Sequence, residues 1–313
     1  MDADLYLADL EAKPEALSAL ARADDPYVGL PAGMRRIVLL GMGSSRYAAG
    51  VAARRLRAAG LDAAAEYASA DVLPPPTPDT LVVAISASGR STETLAAAAR
   101  YRGRSYVVAM TNDTASPIVD GADLVVPMVA GPERGGVSCR TFQHTLALLL
   151  ALSARLTGGA GAHLAERAAE ATADLLDRRA EWLGRASALL DGPHGVYTIA
   201  PAGRLSSAEQ SALMFREVPR RQADACETGD WAHVDVYLTK TYDYRAIIFP
   251  GSRYDEQMMD WIRQRSSTVV TVGGTLDGER ASIRYRHDDD RDVALLTETL
   301  VAELVAHSWA QGV

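Results

Sequence analysis

The chain has 313 residues, two cysteines and a formal net charge of −8, with 48% hydrophobic and 23% charged residues. That length reads as two domains or one large one with a sizeable core, in an ordinary α/β composition. The acidic balance argues against a basic nucleic-acid face, and no apolar run reads as a membrane span; Thr145–Leu152 is apolar but short.

The acidic start Met1-Asp2-Ala3-Asp4 does not read as a signal peptide. Cys139 and Cys226 lack metal-ligand spacing and read as buried thiols in a reducing cytoplasm. Leu5, Leu7, Leu10, Leu17 and Leu20 predict a helix over 4–22, stopped by Asp24-Asp25-Pro26. A strand near 36–41 then runs through Gly41-Met42-Gly43-Ser44-Ser45 into a helix over 45–59. Strands follow near 63–67 and 80–86. The second of these enters the turn Ser86-Ala87-Ser88-Gly89-Arg90-Ser91-Thr92-Glu93-Thr94, with five hydroxyls in nine positions, and then a helix over 91–102. One helix cap needs only one hydroxyl. A strand-to-helix turn of this kind collects hydroxyls, free backbone N–H groups and the positive end of a helix dipole, which suits a phosphate. Gly41, Gly43 and Gly50 do not have the spacing of a dinucleotide fingerprint, so two serine-rich turns fit one phosphosugar better than a dinucleotide.

Further strands are expected at 105–110 and 123–128, a short segment near 117–120, and a helix over 139–157. Thr157-Gly158-Gly159-Ala160-Gly161 reads as a linker, and a long alanine-rich helix over 163–191 follows it. A second series comprises strand 196–200, helix 205–217, strand 245–249, helix 254–265, strand 268–272 and a C-terminal helix over 291–310. Alternating βα units imply parallel sheets with helices on both faces and ligands at the carboxyl ends of the strands.

The pair Gly43-Ser44-Ser45 and Ser86-Ala87-Ser88-Gly89-Arg90-Ser91 resembles the sugar isomerase (SIS) domain. Roughly residues 30–310 resemble the tandem-SIS isomerase half of glucosamine-6-phosphate synthase and its stand-alone relatives, which include phosphosugar isomerases, aminosugar-phosphate deaminases and fructosamine-phosphate deglycases. The resemblance implies two doubly wound, flavodoxin-like three-layer α/β/α subdomains. It places an N-terminal helical segment at 1–30, a first SIS domain at 31–158, and a second at 159–313 with its long connecting helix. Gly43, Ser44, Ser45, Ser86, Ser88 and Ser91 would hold the phosphate. Glu133 and Ser138 fall on a stretch that lines the sugar in the synthases; read without the family, they make a glycine loop capped by Ser138. Arg90 stands where the synthases have an acid, and reads either as an anion contact or as a surface ion pair.

The same relatives carry a catalytic glutamate at a helix end and a histidine sixteen residues later, matched here by Glu217 and His233. Moving a proton between the first two carbons of a sugar needs a carboxylate base, and ring opening needs a group that titrates near neutrality. Two departures stand out. Met214 replaces a lysine of the synthases, and their Schiff-base lysine in a C-terminal tail has no counterpart, Lys13 and Lys240 being the only lysines. Schiff-base chemistry is therefore not expected, nor is ammonia transfer from glutamine, since the synthases' glutaminase domain is not matched.

The expectation is a cytoplasmic phosphosugar enzyme without metal or cofactor. It would bind a phosphorylated sugar or aminosugar but neither nucleic acid nor membrane, and act as a homodimer with a shared site. Its reaction would be aldose–ketose isomerisation, or deamination or deglycation of an aminosugar phosphate. The competing expectation is a non-catalytic phosphosugar sensor acting through a partner protein. Arg220-Arg221 and the run Arg284 to Asp290 are expected to be solvated.

Overall fold

A computed structural model describes residues 1–159 and 163–310. Part of the expected linker, Ala160 and Gly161, lies outside the described residues, as do Gln311–Val313. The chain forms two compact units. The amino-terminal unit comprises Ala16–Glu133 and Arg140–Ala165; the carboxy-terminal unit comprises Met1–Glu15, Arg134–Cys139 and Glu166–Val313.

The expected first helix is two, α1 (Ala3–Glu11) and α2 (Lys13–Ala21). Asp2 caps α1 by accepting from the Leu5 N–H. The amino-terminal unit then builds β1 (Arg36–Gly41), α3 (Ser44–Ala58), β2 (Asp62–Tyr67), β3 (Thr80–Ile85), α4 (Thr92–Ala99), β4 (Tyr106–Thr111), β5 (Leu124–Pro127) and α5 (Arg140–Thr157). Its sheet runs β2-β1-β3-β4-β5, all parallel. β3 is buried along its whole length, as a central parallel strand covered on both faces must be. Val38, Leu40, Val82 and Val107 pack with Ala97 and Tyr101 in one core cluster.

The expected long helix over 163–191 breaks at Arg178 into α6 (Leu164–Asp177) and α7 (Arg179–Leu190). After it come β6 (Val196–Ala200), α8 (Leu205–Glu217), β7 (Ala223–Glu227), α9 (Thr228–Trp231), β8 (Arg245–Ile248), α10 (Asp255–Gln264), β9 (Thr268–Val272), β10 (Ala281–Ile283), α11 (Arg291–Thr297) and α12 (Thr299–Ala310). The second sheet is also parallel and five-stranded, in the order β10-β9-β8-β6-β7.

Read from the other edge, that is the order of the first sheet. In each unit the chain makes a strand, adds a neighbour on one side, then returns to the other side. The switch points therefore lie between β1 and β3 and between β6 and β8. The sequence pattern shows three strands of the second sheet and misses β7 and β10. Both are edge strands: β7 carries polar Asp224 and Glu227, and β10 is three residues long. The stretch Arg291–Ala310 meets the length and apolarity of a membrane-crossing helix, which corrects the expectation that none does; 89% of it is buried inside the fold, as in a core helix pair.

Candidate functional site at the carboxyl ends of the first sheet

At the end of β1 a side chain on Gly41 would come within 2.9 Å of Ser45, and Gly43 has φ +50°. The chain thus enters α3 at once, with no side chain capping its N-terminus. Ser44 and Ser45 occupy that first turn, half-buried, and their hydroxyls have no hydrogen-bond partner among the described residues.

At the end of β3, Ser86 is buried and its N–H donates to the Met110 carbonyl; its hydroxyl too has no partner among the described residues. The turn beyond is fixed from several sides. The Asn112 N–H and the Thr111 hydroxyl both donate to the Ala87 carbonyl. Gly89 has φ +63°, and a Cβ there would overlap the Ser116 hydroxyl. Ser88 accepts from the Arg90 N–H at 3.3 Å, and Ser91 caps α4 by accepting from the Thr94 N–H at 3.4 Å. Ser91 also donates to Glu93 at 2.9 Å, so its hydroxyl is already engaged within the turn.

β1 and β3 are neighbours, with Val38 beside Val82. Two helix N-termini and three open hydroxyls therefore share one switch point, a ready anion cradle. Arg90 pairs with Asp113 at 3.0 Å, both exposed, a contact worth little in water. Glu133 accepts from the Arg140 and Thr141 N–H groups and from the Thr141 hydroxyl, at 2.6 to 3.2 Å. Its carboxylate holds the start of α5.

In the carboxy-terminal unit Ser138 is half-buried, and its carbonyl accepts from Gln210 Nε2 at 2.9 Å. Glu217 is the last residue of α8 and is exposed. Surrounding protein atoms still take enough water from its carboxyl to raise its pKa, with Arg216 opposing. Met214 is buried, and its sulfur accepts from the Tyr6 hydroxyl at 3.6 Å. The same sulfur also accepts from Gln210 Nε2 at 3.7 Å. His233 follows α9, exposed, and its imidazole has no partner among the described residues.

The second sheet's switch point carries different chemistry. There Arg204 donates to Glu298 at 2.5 Å and to the Pro250 carbonyl, both from its buried guanidinium. The second sheet's switch point is thus occupied by the protein's own Arg204 and Glu298 side chains, where the first sheet has open serine hydroxyls.

The charge clusters expected to be solvated do face solvent, with Arg220, Arg284 and Arg286 exposed, and they form ion pairs there. Arg221 pairs with Asp191 and lies over the Trp309 ring. Arg284 holds Asp288, Asp290 caps α11 and pairs with Arg167, and His287 meets Glu170 at 2.7 Å. Cys139 and Cys226 are both buried, and neither is in a disulfide among the described residues. Sequence reasoning missed Gln210, Asp9 and the Arg204–Glu298 pair: each is a lone polar residue inside a helix or loop, and no motif marks it.

Residues 32–155 match the SIS domain. The chain carries one such domain by that match, where two were expected, while both sheets are parallel and five-stranded in the same strand order, as the two expected subdomains require. A glutamine–fructose-6-phosphate aminotransferase (isomerizing) of Aeropyrum pernix is 33% identical over 290 residues, covering 85% of this chain and 46% of that protein. The chain spans about half the length of the curated relatives it matches first. Among solved structures, the C-terminal domain of glucosamine-fructose-6-phosphate aminotransferase from Francisella tularensis superposes with a TM-score of 0.84 at 18% identity, covering 98% of this chain and 95% of that one. Tagatose-6-phosphate ketose/aldose isomerase from Escherichia coli gives 0.75 at 17% identity, over 100% and 94%. At these identities the structures establish the fold.

Proposed function

We propose that this chain is an enzyme that moves a proton between the first two carbons of a phosphorylated sugar. Aldose–ketose isomerisation is the simplest form; deamination or deglycation of an aminosugar phosphate shares the same first step. One observation carries the reading: two serine-bearing turns, with three open hydroxyls and two helix N-termini, at the switch point of an SIS domain. The names of the A. pernix relative and the E. coli neighbour, an isomerizing aminotransferase and a ketose/aldose isomerase, support it.

In this mechanism Ser44, Ser45, Ser86 and Ser88 bind the phosphate, while Ser91 caps the helix whose N-terminus faces it. Ser138 contacts the sugar. Glu217 takes the proton from carbon as its carboxylate and returns it to the neighbouring carbon. Its raised pKa makes it a stronger base than an ordinary glutamate. His233 moves protons at the ring oxygen and anomeric hydroxyl. No lysine adduct forms: Met214 stands at the first lysine position, Lys13 is paired with Glu303 in the core, and Lys240, over the Tyr237 ring, matches no lysine of the synthases. The active species is a cytoplasmic homodimer in which a second copy supplies His233; its exposed imidazole, without a hydrogen-bond partner among the described residues, supports this.

The test is exchange of the substrate's C–H proton with deuterated water across a panel of hexose and aminohexose phosphates. Wild type exchanges it. Glu217→Gln loses exchange yet binds phosphosugar nearly unchanged by calorimetry, and borohydride traps no adduct. Wild-type exchange in Glu217→Gln would place the base elsewhere. Binding by wild type with no exchange of any panel member favours a phosphosugar sensor.

A further inference from the structure

Residues Arg134–Cys139 belong to the carboxy-terminal unit, although the segments on either side belong to the other. Contacts within that unit explain how the loop is held. The Gly135 N–H donates to Asp9 Oδ2 at 2.7 Å, and Asp9, on α1, is buried. Gly135 lies so close to Tyr6 that a Cβ would sit 2.5 Å from the Tyr6 Cα, which makes glycine obligatory. Three residues on, the Ser138 carbonyl accepts from Gln210 Nε2 at 2.9 Å. Gln210 is buried on α8, two turns before Glu217 on the same helix. A hydrogen bond from a buried amide is directional, and the amide is costly to leave unpaired.

We propose that Gln210 and Asp9 are positioning residues that fix the Arg134–Cys139 loop, so that Ser138 and Glu217 meet the sugar as one rigid piece. The inference rests on the phosphosugar reading above. Gln210 grips the carbonyl of Ser138 itself and leaves the hydroxyl for substrate. Asp9 holds the other end of the loop through Gly135. Because α8 carries both Gln210 and Glu217, the sugar-contacting loop and the base share a single scaffold. A misplacement of about 1 Å at such a loop can cost on the order of 100-fold in rate.

Amide hydrogen exchange over residues 134–139 and phosphosugar kinetics, in wild type, Asp9→Ala, Asp9→Asn, Gln210→Met and Gln210→Glu, test this. Asp9→Ala and Gln210→Met should speed exchange in the loop and lower kcat/KM by about 10- to 100-fold, through a raised KM and a lowered kcat. Asp9→Asn keeps an acceptor for the Gly135 N–H and should recover most of the loss. Gln210→Glu can donate to the Ser138 carbonyl only when protonated, so its activity relative to wild type should rise as pH falls. A merely structural residue would not give that pH-dependent rescue. Unchanged loop exchange, or faster exchange with unchanged KM, overturns the proposal while wild type still turns over phosphosugar. If wild type binds no phosphosugar, the functional reading has failed, and this inference falls with it.

Discussion

Ser86 and Ser88 are where the phosphate reading is most exposed to test. Each hydroxyl would donate to a charged oxygen, and the loss of one such bond costs roughly 1.5–3 kcal/mol. Calorimetry on Ser86→Ala and Ser88→Ala should show weaker phosphosugar binding in both, and unchanged affinity in both would remove the site. Arg90 separates the two readings of its side chain: if it is only an exposed surface pair with Asp113, Arg90→Ala should leave affinity almost unaltered, and a clear loss would make it an anion contact. Glu217 makes a prediction in pH. Desolvation raises its pKa, so the carboxylate needed as base is lost at a higher pH than for an ordinary glutamate. The acid limb of kcat/KM should therefore lie above 4.5, and should vanish from the residual activity of Glu217→Gln. An acid limb at or below that value would mean another base. The serine turns are legible as hydroxyl-rich strand-to-helix turns, whereas Glu217 and His233 are legible only through the resemblance to the synthases, because a lone carboxylate at a helix end and a lone histidine read equally well as solvated surface groups. Glu133 was read as a ligand contact, and its three donors show that it also caps a helix; spacing alone does not tell a ligand carboxylate from a cap.

Among the elements, buried strands and long helices were easy to find and edges were not. β3 is six apolar or β-branched residues in a row, all buried. β7, reading Ala-Asp-Ala-Cys-Glu, pairs on one side only and keeps polar residues facing outward, so its pattern looks like loop. The helix break at Arg178 has no proline or glycine to announce it; that guanidinium reaches Asp174, Glu181 and the Arg284 carbonyl. Contacts made far along the chain are invisible to a local window.

The loops after β6 and β8 and the junction of α11 with α12 are joined in the same way, by Arg204 and Glu298. Burial pushes the Glu298 pKa to about 7, against an ordinary 4.5, and outweighs the pull of Arg204. Between those values the folded chain binds the proton more tightly than the unfolded chain does. The stability that comes from this group is full below pH 4.5 and is lost as pH rises toward 7. The loss is of order 3 kcal/mol. Glu298→Gln cannot ionise, so its denaturant-unfolding free energy should fall less than that of wild type between pH 5 and pH 7. An equal slope in both would show that the carboxyl titrates in its ordinary range.

For the molecule as a whole, the decisive question is whether one copy of the chain holds a complete site. In the proposed mechanism the phosphate is held by residues of the SIS domain, and the proposed base, Glu217, ends α8. His233 stands exposed beside exposed Val234 and Tyr237, apolar surface of the kind that a second subunit covers. If a two-fold dimer shares its sites, Glu217 and His233 of one site come from different copies. Glu217→Gln and His233→Ala would each be nearly inactive alone. In a mixed dimer, both substitutions fall in one site and the other site is intact. Random reassortment of equal amounts makes half the molecules mixed, so activity should return to about a quarter of wild type. Sedimentation should show the dimer at the same concentration. Mixed variants that stay inactive after proven subunit exchange would put both groups in one copy. A monomer with full activity would do the same, and would leave the exposed surface around His233 to some other partner.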